Sequence, residues 1–456
     1  MPALAQSLDI LRHDALQIFQ AGIDAADPYT AVKRAIKFSE NHLELYLDLN
    51  DSSKVRIGRW SKVHLIAYGK AACAMAKAAT EVIPAELLDE QGIVVTNYDN
   101  LLALENLTVI GAGHPLPDNA GLHAASLIAE RVKKAEQGEL VLVLISGGGS
   151  ALLPAPLAPL TLAEKIATTD LLLACGANIQ EINCVRKHLS QLKGGQLARL
   201  AFPADLHALI LSDVLGDDLS AIASGATVPD DSSYADAIAV LNRYQIWEKV
   251  PDTVQQILEQ GRVGQLKETP KAGDPVFKHS SHTLIGSNTM SLNAVAVAAQ
   301  TQGYQTEVYS QALCGIAREE AETLALQVKK LLNNGLSLPT AIVAGGETTV
   351  VLTGTGQGGR NQEMALAFAC AAKKHRLPDC WVFLSGGTDG RDGVADAAGG
   401  IVDAGSVERM RNARVNAANR LNNNDSYNAL KSSGDLLVTG ATGTNVADLQ
   451  VLLLKP

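Results

Sequence analysis

No charge-free apolar run in this chain approaches the roughly 18 residues a membrane-spanning helix requires, so no membrane segment is expected. Residues Met1 to Arg12 lack a basic segment followed by an apolar stretch and a small-residue cleavage site, so no secretory leader is expected either. Basic residues are in deficit, 38 against 48 acids, for a formal net charge of −10. That balance argues against a nucleic-acid surface, which needs a basic stripe along the phosphates. It leaves room for small anionic ligands, because a site can be locally positive inside an acidic protein. The six cysteines (Cys73, Cys175, Cys184, Cys314, Cys370, Cys380) include no C-x-x-C pair. They read as reduced thiols packed in the core of a cytoplasmic protein, not as a disulfide framework or a zinc site.

What the chain does have is an ordinary apolar content, 47%, which excludes whole-chain disorder. Its 456 residues suggest about two or three domains. One pattern recurs: a short apolar run ends in glycine, serine or aspartate, and a helical pattern follows. The runs are 63–68, 140–145, 206–211, 340–344 and 381–384. Continuous apolar runs of this length fit strands buried on both faces. The helical patterns between them (71–82, 122–134, 163–175, 289–302, 316–332 and 361–374) indicate an α/β fold with largely parallel or mixed sheets covered by helices. The first ~50 residues show no strand signal, and 7–19 and 28–47 read as helices. Glycines and prolines cluster among charges between Gly261 and Ser281. The expected division is therefore an N-terminal domain over 1–262, a linker over 263–280 and a C-terminal domain over 281–456.

Ligands of open α/β sheets bind beyond the carboxyl ends of the strands, so the loops there are the candidates for chemistry. Ser146-Gly147-Gly148-Gly149-Ser150 has more glycine than a tight turn needs, which favours an anion held by backbone N–H groups. Gly354-Thr-Gly356-Gln-Gly358-Gly359 satisfies G-x-G-x-x-G, follows a strand-like run over 348–352 and precedes a helix. Taken alone it suggests a dinucleotide site. However, the acid such a site wants at the end of the next strand is missing, and Arg360 suits a phosphate better. Lys70 stands at a strand end just ahead of a helix. Asp213, Asp217 and Asp218 share one loop, fit for Mg²⁺ or for a base, with capping as the plainer role of Asp218. Glu347 and Asp389 sit in glycine-broken loops that could be ligand sites or simple turns. Arg186, Lys187 and His188 with Lys193 form either a site for a substrate anion or a solvated helix face. His114 reads as structural.

Nine segments, taken in order, are specific. They are Tyr68-Gly-Lys-Ala-Ala72, Gly113-His-Pro-Leu-Pro-Asp118, Leu144-Ile-Ser-Gly-Gly-Gly-Ser-Ala-Leu152, Asn183-Cys-Val-Arg-Lys-His188, Lys193-Gly-Gly195, Ser212-Asp-Val-Leu-Gly-Asp-Asp218, Gly345-Gly-Glu-Thr348, Gly358-Gly-Arg-Asn-Gln-Glu363 and Ser385-Gly-Gly-Thr-Asp-Gly390. In order and spacing the chain resembles the glycerate 2-kinases that carry a C-terminal MOFRL domain, a family also labelled hydroxypyruvate reductase.

The resemblance implies a Rossmann-like N-terminal domain, a MOFRL-type C-terminal domain and an active site in the cleft between them. It implies ATP- and Mg²⁺-dependent phosphorylation of the D-glycerate 2-hydroxyl, with Lys70, Asp213 and Arg360 at the catalytic positions. Ser146 to Ser150, Arg186 and Lys193 would then bind substrate or phosphate. Gly356, Gly358, Gly359 and Glu347 would contact nucleotide, and Asp213, Asp217 and Asp389 would hold the metal. The expected partners are D-glycerate and ATP, with no nucleic acid and no membrane, and a homodimer is the assembly this reading allows. NAD(P)H-dependent hydroxypyruvate reduction is the alternative activity.

Overall fold

The computed structural model describes residues 2–89, 92–393 and 396–456. These form two compact units, one of residues 28–212 and 217–285, the other of residues 2–27, 213–216 and 286–456. No helix among the described residues is long and apolar enough to cross a membrane.

The first unit is built on a six-stranded sheet. Across it run Leu107–Ala112, Gly92–Asn97, Val63–Tyr68, Leu140–Ile145, Asp205–Leu211 and Ser280–Gly286. The first five of these pair in parallel throughout. Every residue of Val63–Tyr68 and Leu140–Ile145 is buried, as expected for strands covered on both faces. In chain order the sheet reads third, second, first, fourth, fifth, sixth, so its direction of growth reverses between Val63–Tyr68 and Leu140–Ile145. The crevice beyond such a reversal is where doubly wound sheets bind ligands. The loops at that point are Gly69-Lys70 and Ser146 to Ser150. Helices Leu162–Ala174 and Ile179–His188 flank this end, each opened by a capping box, Thr161 with Glu164 and Asn178 with Glu181.

The helix expected over 28–47 stops at Ala35. Ile36–Ser39 and His42–Tyr46 form an antiparallel hairpin instead, joined by Glu40 and Asn41 at φ +47° and +64°. Two central residues at positive φ make a turn whose twist matches paired strands. Alternate burial of Leu43 and Leu45 holds the hairpin against the unit, and Val55–Gly58 completes a three-stranded sheet.

The second unit carries a mixed six-stranded sheet in the order Gln305–Leu313, Thr340–Gly346, Asp448–Leu454, Trp381–Gly387, Gly399–Asp403, Leu436–Leu437. Only the first pair is parallel. Its domain boundaries differ from the expected ones. Helix Pro2–Ala25 belongs here, because Leu11, Ala15, Ile18, Phe19 and Ile23 form one apolar stripe buried against this sheet. Ser280–Gly286, expected in the C-terminal domain, is the edge strand of the first unit. The stretch 263–280 is no linker either: Thr269 is buried, its hydroxyl donates to Asp230 at 3.0 Å, and the Asp230 N–H donates to the Pro270 carbonyl at 3.0 Å. Its glycines and prolines serve turns on the surface of the first unit. All six cysteines are unpaired thiols. Cys73 and Cys184 are buried as expected, while Cys314 is exposed.

Candidate active site

In the second unit, Arg360 opens the helix Arg360–His375, and its guanidinium is clamped from two sides. Nε and Nη2 donate to the two oxygens of Asp448 at 2.6 and 3.0 Å, and Nη1 lies 2.7 Å from Glu347 Oε1. Asp448 is the first residue of the central strand, opposite Gly346 and Gly387 in register, and its carboxylate is buried. Burial would weaken the charge on Arg360, but the hydrogen bonds and charge of Asp448 hold it firmly protonated. Burial also pushes Asp448 toward protonation. The two-point guanidinium contact opposes this, and we read the pair as ionised. Asp213, Glu347, Arg360, Asp389 and Asp448 line one cavity of about 250 Å³. The loop carrying Asp389 is pinned by Thr388, whose hydroxyl donates to Ala447 O at 2.7 Å and accepts from Val446 N at 2.9 Å.

A larger cavity of about 680 Å³ is lined by Glu347, Gly356, Gly358, Gly359 and Arg360. In the glycine-rich loop beside it, the N–H groups of Thr353 to Gln357 are not offered to a ligand. Thr353 and Gly354 donate to the Asn424 side chain at 2.7 and 2.9 Å, and Thr355 to that of Asn423 at 3.2 Å. Gly356 donates to the Asn423 carbonyl at 2.9 Å and Gln357 to Asp425 at 3.1 Å. Asp392 occupies the start of the following helix, accepting from Asn361 N at 3.2 Å and Gln362 N at 2.8 Å. Burial pushes the Asp392 carboxyl up to about 6. The glycines are required by close approach: a Cβ on Gly356 would lie 2.3 Å from Asp425, and one on Gly358 2.1 Å from the Ser426 hydroxyl. The expected strand over 348–352 is absent, leaving only a single bridge at Thr349. The G-x-G-x-x-G match therefore lacks the strand of a dinucleotide site and, from Thr353 to Gln357, its free donors. The expected contact of Gly356 with nucleotide loses its N–H basis, whereas the Gly358 and Gly359 N–H groups donate to nothing among the described residues.

The first unit gathers the other candidates. Ser146 is buried and its hydroxyl accepts from Ala71 N at 3.0 Å, so it braces the loop rather than facing outward. Lys70 N donates to Gly147 O at 2.9 Å, tying the two strand-end loops together. Gly148 stands at φ +85°, and a Cβ there would lie 3.0 Å from the His114 ring and 3.4 Å from Lys70 Cγ. Burial first, and the Lys70 charge second, hold His114 below its usual range and keep it neutral. The Gly147 and Gly148 N–H groups donate to nothing among the described residues.

The basic cluster is no solvated face. Lys187 pairs with buried Asp230 at 3.2 Å, and His188 contacts Glu268 at 2.9 Å. Arg186 has neither kind of partner among the described residues and lines a third cavity, of about 400 Å³, with His114, Gly148, Ser150 and Lys165. Buried Lys193 donates to Ser150 O at 3.0 Å. The sequence reading missed Lys165, Asn424 and Asp448. For Lys165 a signal existed: it shares a helical face with Leu162, Ile166, Thr169 and Leu173, a lysine inside an apolar stripe.

Of the expected metal residues, Asp213 and Asp389 line one cavity. Among the described residues no three His, Cys, Asp or Glu side chains cluster to hold an ion. Asp217, at φ +55°, does not line the cavity that Asp213 and Asp389 share. Asp218 serves its turn, its carboxylate accepting from Ser220 N at 2.9 Å.

Residues 14–259 match the family described as a domain of unknown function, DUF4147, and residues 340–448 match the MOFRL family. The chain is 39% identical over 447 residues to a glycerate 2-kinase of Pyrococcus horikoshii, covering 97% of each protein. It is 40% identical to a D-glycerate 2-kinase of Thermotoga maritima, covering 97% of this chain and 98% of that one. A putative hydroxypyruvate reductase of Agrobacterium vitis is 40% identical over 442 residues, 96% of this chain and 93% of the relative. Among solved structures, a glycerate kinase from Thermotoga maritima is similar with a TM-score of 0.85 at 38% identity, over 98% of this chain and all of that one.

Proposed function

The chain belongs to the glycerate kinase family that joins a DUF4147 region to a MOFRL region, and from that premise we propose that it transfers the γ-phosphoryl group of ATP to the 2-hydroxyl of D-glycerate. The products are 2-phospho-D-glycerate and ADP. One observation within the site carries this reading: a guanidinium held at two points by a buried carboxylate, beside acids lining the same cavity. Phosphoryl transfer asks a protein for positioning and charge neutralisation more than for covalent chemistry.

Arg360 stabilises the charge that spreads over the transferring group. The Glu347 contact is exposed and readily exchanged for a phosphoryl oxygen, while Asp448 keeps the guanidinium in place. Lys70, whose ammonium has no protein partner among the described residues, supplies a second cation. Asp213 accepts or orients the proton of the glycerate hydroxyl. Mg²⁺ is held by one or two carboxylates plus water and phosphate oxygens, and Asp213 with Asp389 on one cavity wall fits that mode. When bound, the ion neutralises charge on the β- and γ-phosphates.

The reductase name borne by some relatives draws no support from the glycine-rich loop, whose donors Thr353 to Gln357 are occupied. The test is ADP formation from ATP and D-glycerate, set against NADH oxidation with hydroxypyruvate; NADH oxidation without ADP formation refutes the proposal. Coupling the product to enolase without a mutase reads the 2-phosphate. Arg360→Ala is expected to lower kcat by about 10³–10⁵. A variant keeping more than a tenth of wild-type kcat removes Arg360 from that role.

A further inference from the structure

Two cavities compete for the nucleotide, and their chemistry differs. At the 680 Å³ cavity of the second unit, loop N–H groups from Thr353 to Gln357 and the N–H groups of Asn361 and Gln362 already have protein acceptors. A phosphate arriving there would meet Arg360, already offset by Asp448 and Glu347, and the Gly358 and Gly359 N–H groups, but also the Glu347 and Asp392 carboxylates, and like charges repel.

The 400 Å³ cavity of the first unit is the reverse. Lys165 and Arg186 line it, and Lys193 reaches the backbone of Ser150 on its wall. Lys165 is bound only by carbonyls, those of Pro154 and Leu189. No carboxylate pairs with any of these three cations among the described residues. Burial pushes both lysine ammoniums down, and Arg186 pushes them further. Buried cations without counter-charge are costly, and an anion from outside would relieve them together. Lys70 and the unbonded Gly147 and Gly148 N–H groups stand at the same end of the sheet.

Most of the remaining wall is apolar, with Leu162, Ile166 and Ile182 inside. Leu116, Leu173 and Ile179 stand at the rim, exposed by 67%, 61% and 58%. Exposed Asp170 adds one carboxylate, suited to a ribose hydroxyl or an exocyclic amine.

We propose that this first-unit cavity binds the adenine nucleotide, its purine among the apolar side chains and its polyphosphate on Arg186, Lys165, Lys193 and the Gly147-Gly148 backbone. D-glycerate carries one negative charge and no apolar body, so it matches neither the number of cations nor the wall. A nucleoside polyphosphate matches both, and a cavity of this size is ordinary for such a ligand. The inference rests on the kinase reading for the identity of the nucleotide.

The test is calorimetric titration of the full chain with MgADP. Leu173→Glu and Ile179→Glu place a charge at the rim, on side chains exposed enough to leave the core intact. Each is expected to weaken ADP binding at least tenfold. Arg186→Gln, which keeps much of the side-chain stem, is expected to do the same. Leu352→Glu, on the wall of the other cavity and 80% exposed, is expected to change it less than twofold. The opposite pattern, or no change in any variant, overturns the proposal. So does a rise in the KM for D-glycerate from the Leu173 and Ile179 variants with ADP affinity intact. Failure of the wild type to form ADP from ATP and D-glycerate would overturn the kinase reading instead, and the ADP titration is read independently of it.

Discussion

Asp448→Asn tests whether the geometry of Arg360 depends on its buried partner. The substitution keeps the shape of the side chain but removes its charge. It also turns one of two acceptors, at 2.6 and 3.0 Å, into an N–H₂ group facing N–H donors. Removing one partner of a buried ion pair costs roughly 3–5 kcal/mol, because the other charge stays behind without compensation. Part of that cost is avoided if the guanidinium swings toward Glu347, which is exposed and 2.7 Å away. That swing is the harmful event for catalysis. A displacement of about 1 Å in a positioning group can lower a rate by about 10². The expected result is a fall in kcat near a hundredfold with both KM values within about threefold, and a clear loss of stability in urea. Glu347→Gln, at an exposed contact worth about 0–1 kcal/mol, should leave stability nearly unchanged. An Asp448→Asn enzyme that is destabilised yet keeps kcat within threefold of wild type would refute the positioning role. Arg360 would then act without the clamp.

Two further predictions concern stability. His188 lies with Nδ1 2.8 Å from the Cys184 carbonyl and Nε2 2.9 Å from Glu268, with Asp230 3.9 Å away and paired to Lys187. Burial would lower the imidazole, but these contacts outweigh it and raise His188 to about 9. Burial raises Glu268, but the His188 contact and backbone donors outweigh it and lower the carboxyl to about 2. The His188 contribution is complete below its ordinary 6.5 and is lost as pH rises through about 9, while that of Glu268 is complete above its ordinary 4.5 and is lost as pH falls through about 2. The His188 shift corresponds to about 3 kcal/mol. The stability gap between wild type and Glu268→Gln, read by urea unfolding, should be widest near pH 5–6.5 and narrow toward pH 10; a gap that is flat with pH refutes the imidazolium. Asn424→Ala should unlock the glycine-rich loop at a cost of about 1–3 kcal/mol, because Thr353 N and Gly354 N lose their acceptor. Amide exchange at those two residues should accelerate in the alanine variant; equal protection there would remove that function from Asn424.

How much was legible follows from the range over which each feature is determined. Strands Val63–Tyr68 and Leu140–Ile145 agree with the expected residues because continuous apolar runs report burial on both faces, a local property. The hairpin at Glu40-Asn41 was missed because the apolar spacing of 28–47 satisfies a helix as well, and positive φ at glutamate carries no compositional mark. Domain limits failed for a different reason. Glycine and proline between 261 and 281 mark turns, and turns do not reveal which unit they serve. In the site, residues at strand ends were visible from their loops. Asp448 was not, since a strand's first residue looks like any turn acid until its neighbours Gly346 and Gly387 are seen to leave room for it.

The arrangement of the second sheet also sets an order of events for the growing polypeptide. Asp448–Leu454 is its central strand, hydrogen-bonded on one side to Thr340–Gly346 and on the other to Trp381–Gly387. Helix Pro2–Ala25 covers that strand, with Gly22 so close that a Cβ would lie 2.5 Å from Leu449, and Arg12 of the same helix reaches Asp403 and Asp435. In a chain made from N- to C-terminus, the helix first meets Leu292, Val295 and Ala299 of Asn288–Thr301 and waits through more than 400 residues for the strand that completes its docking surface. Until then the stripe of Leu11, Ile18, Phe19 and Ile23 has only part of its native cover. During synthesis this segment is a natural client for a holding chaperone, and a chain shortened by its first 25 residues leaves the last strand with a bare apolar face.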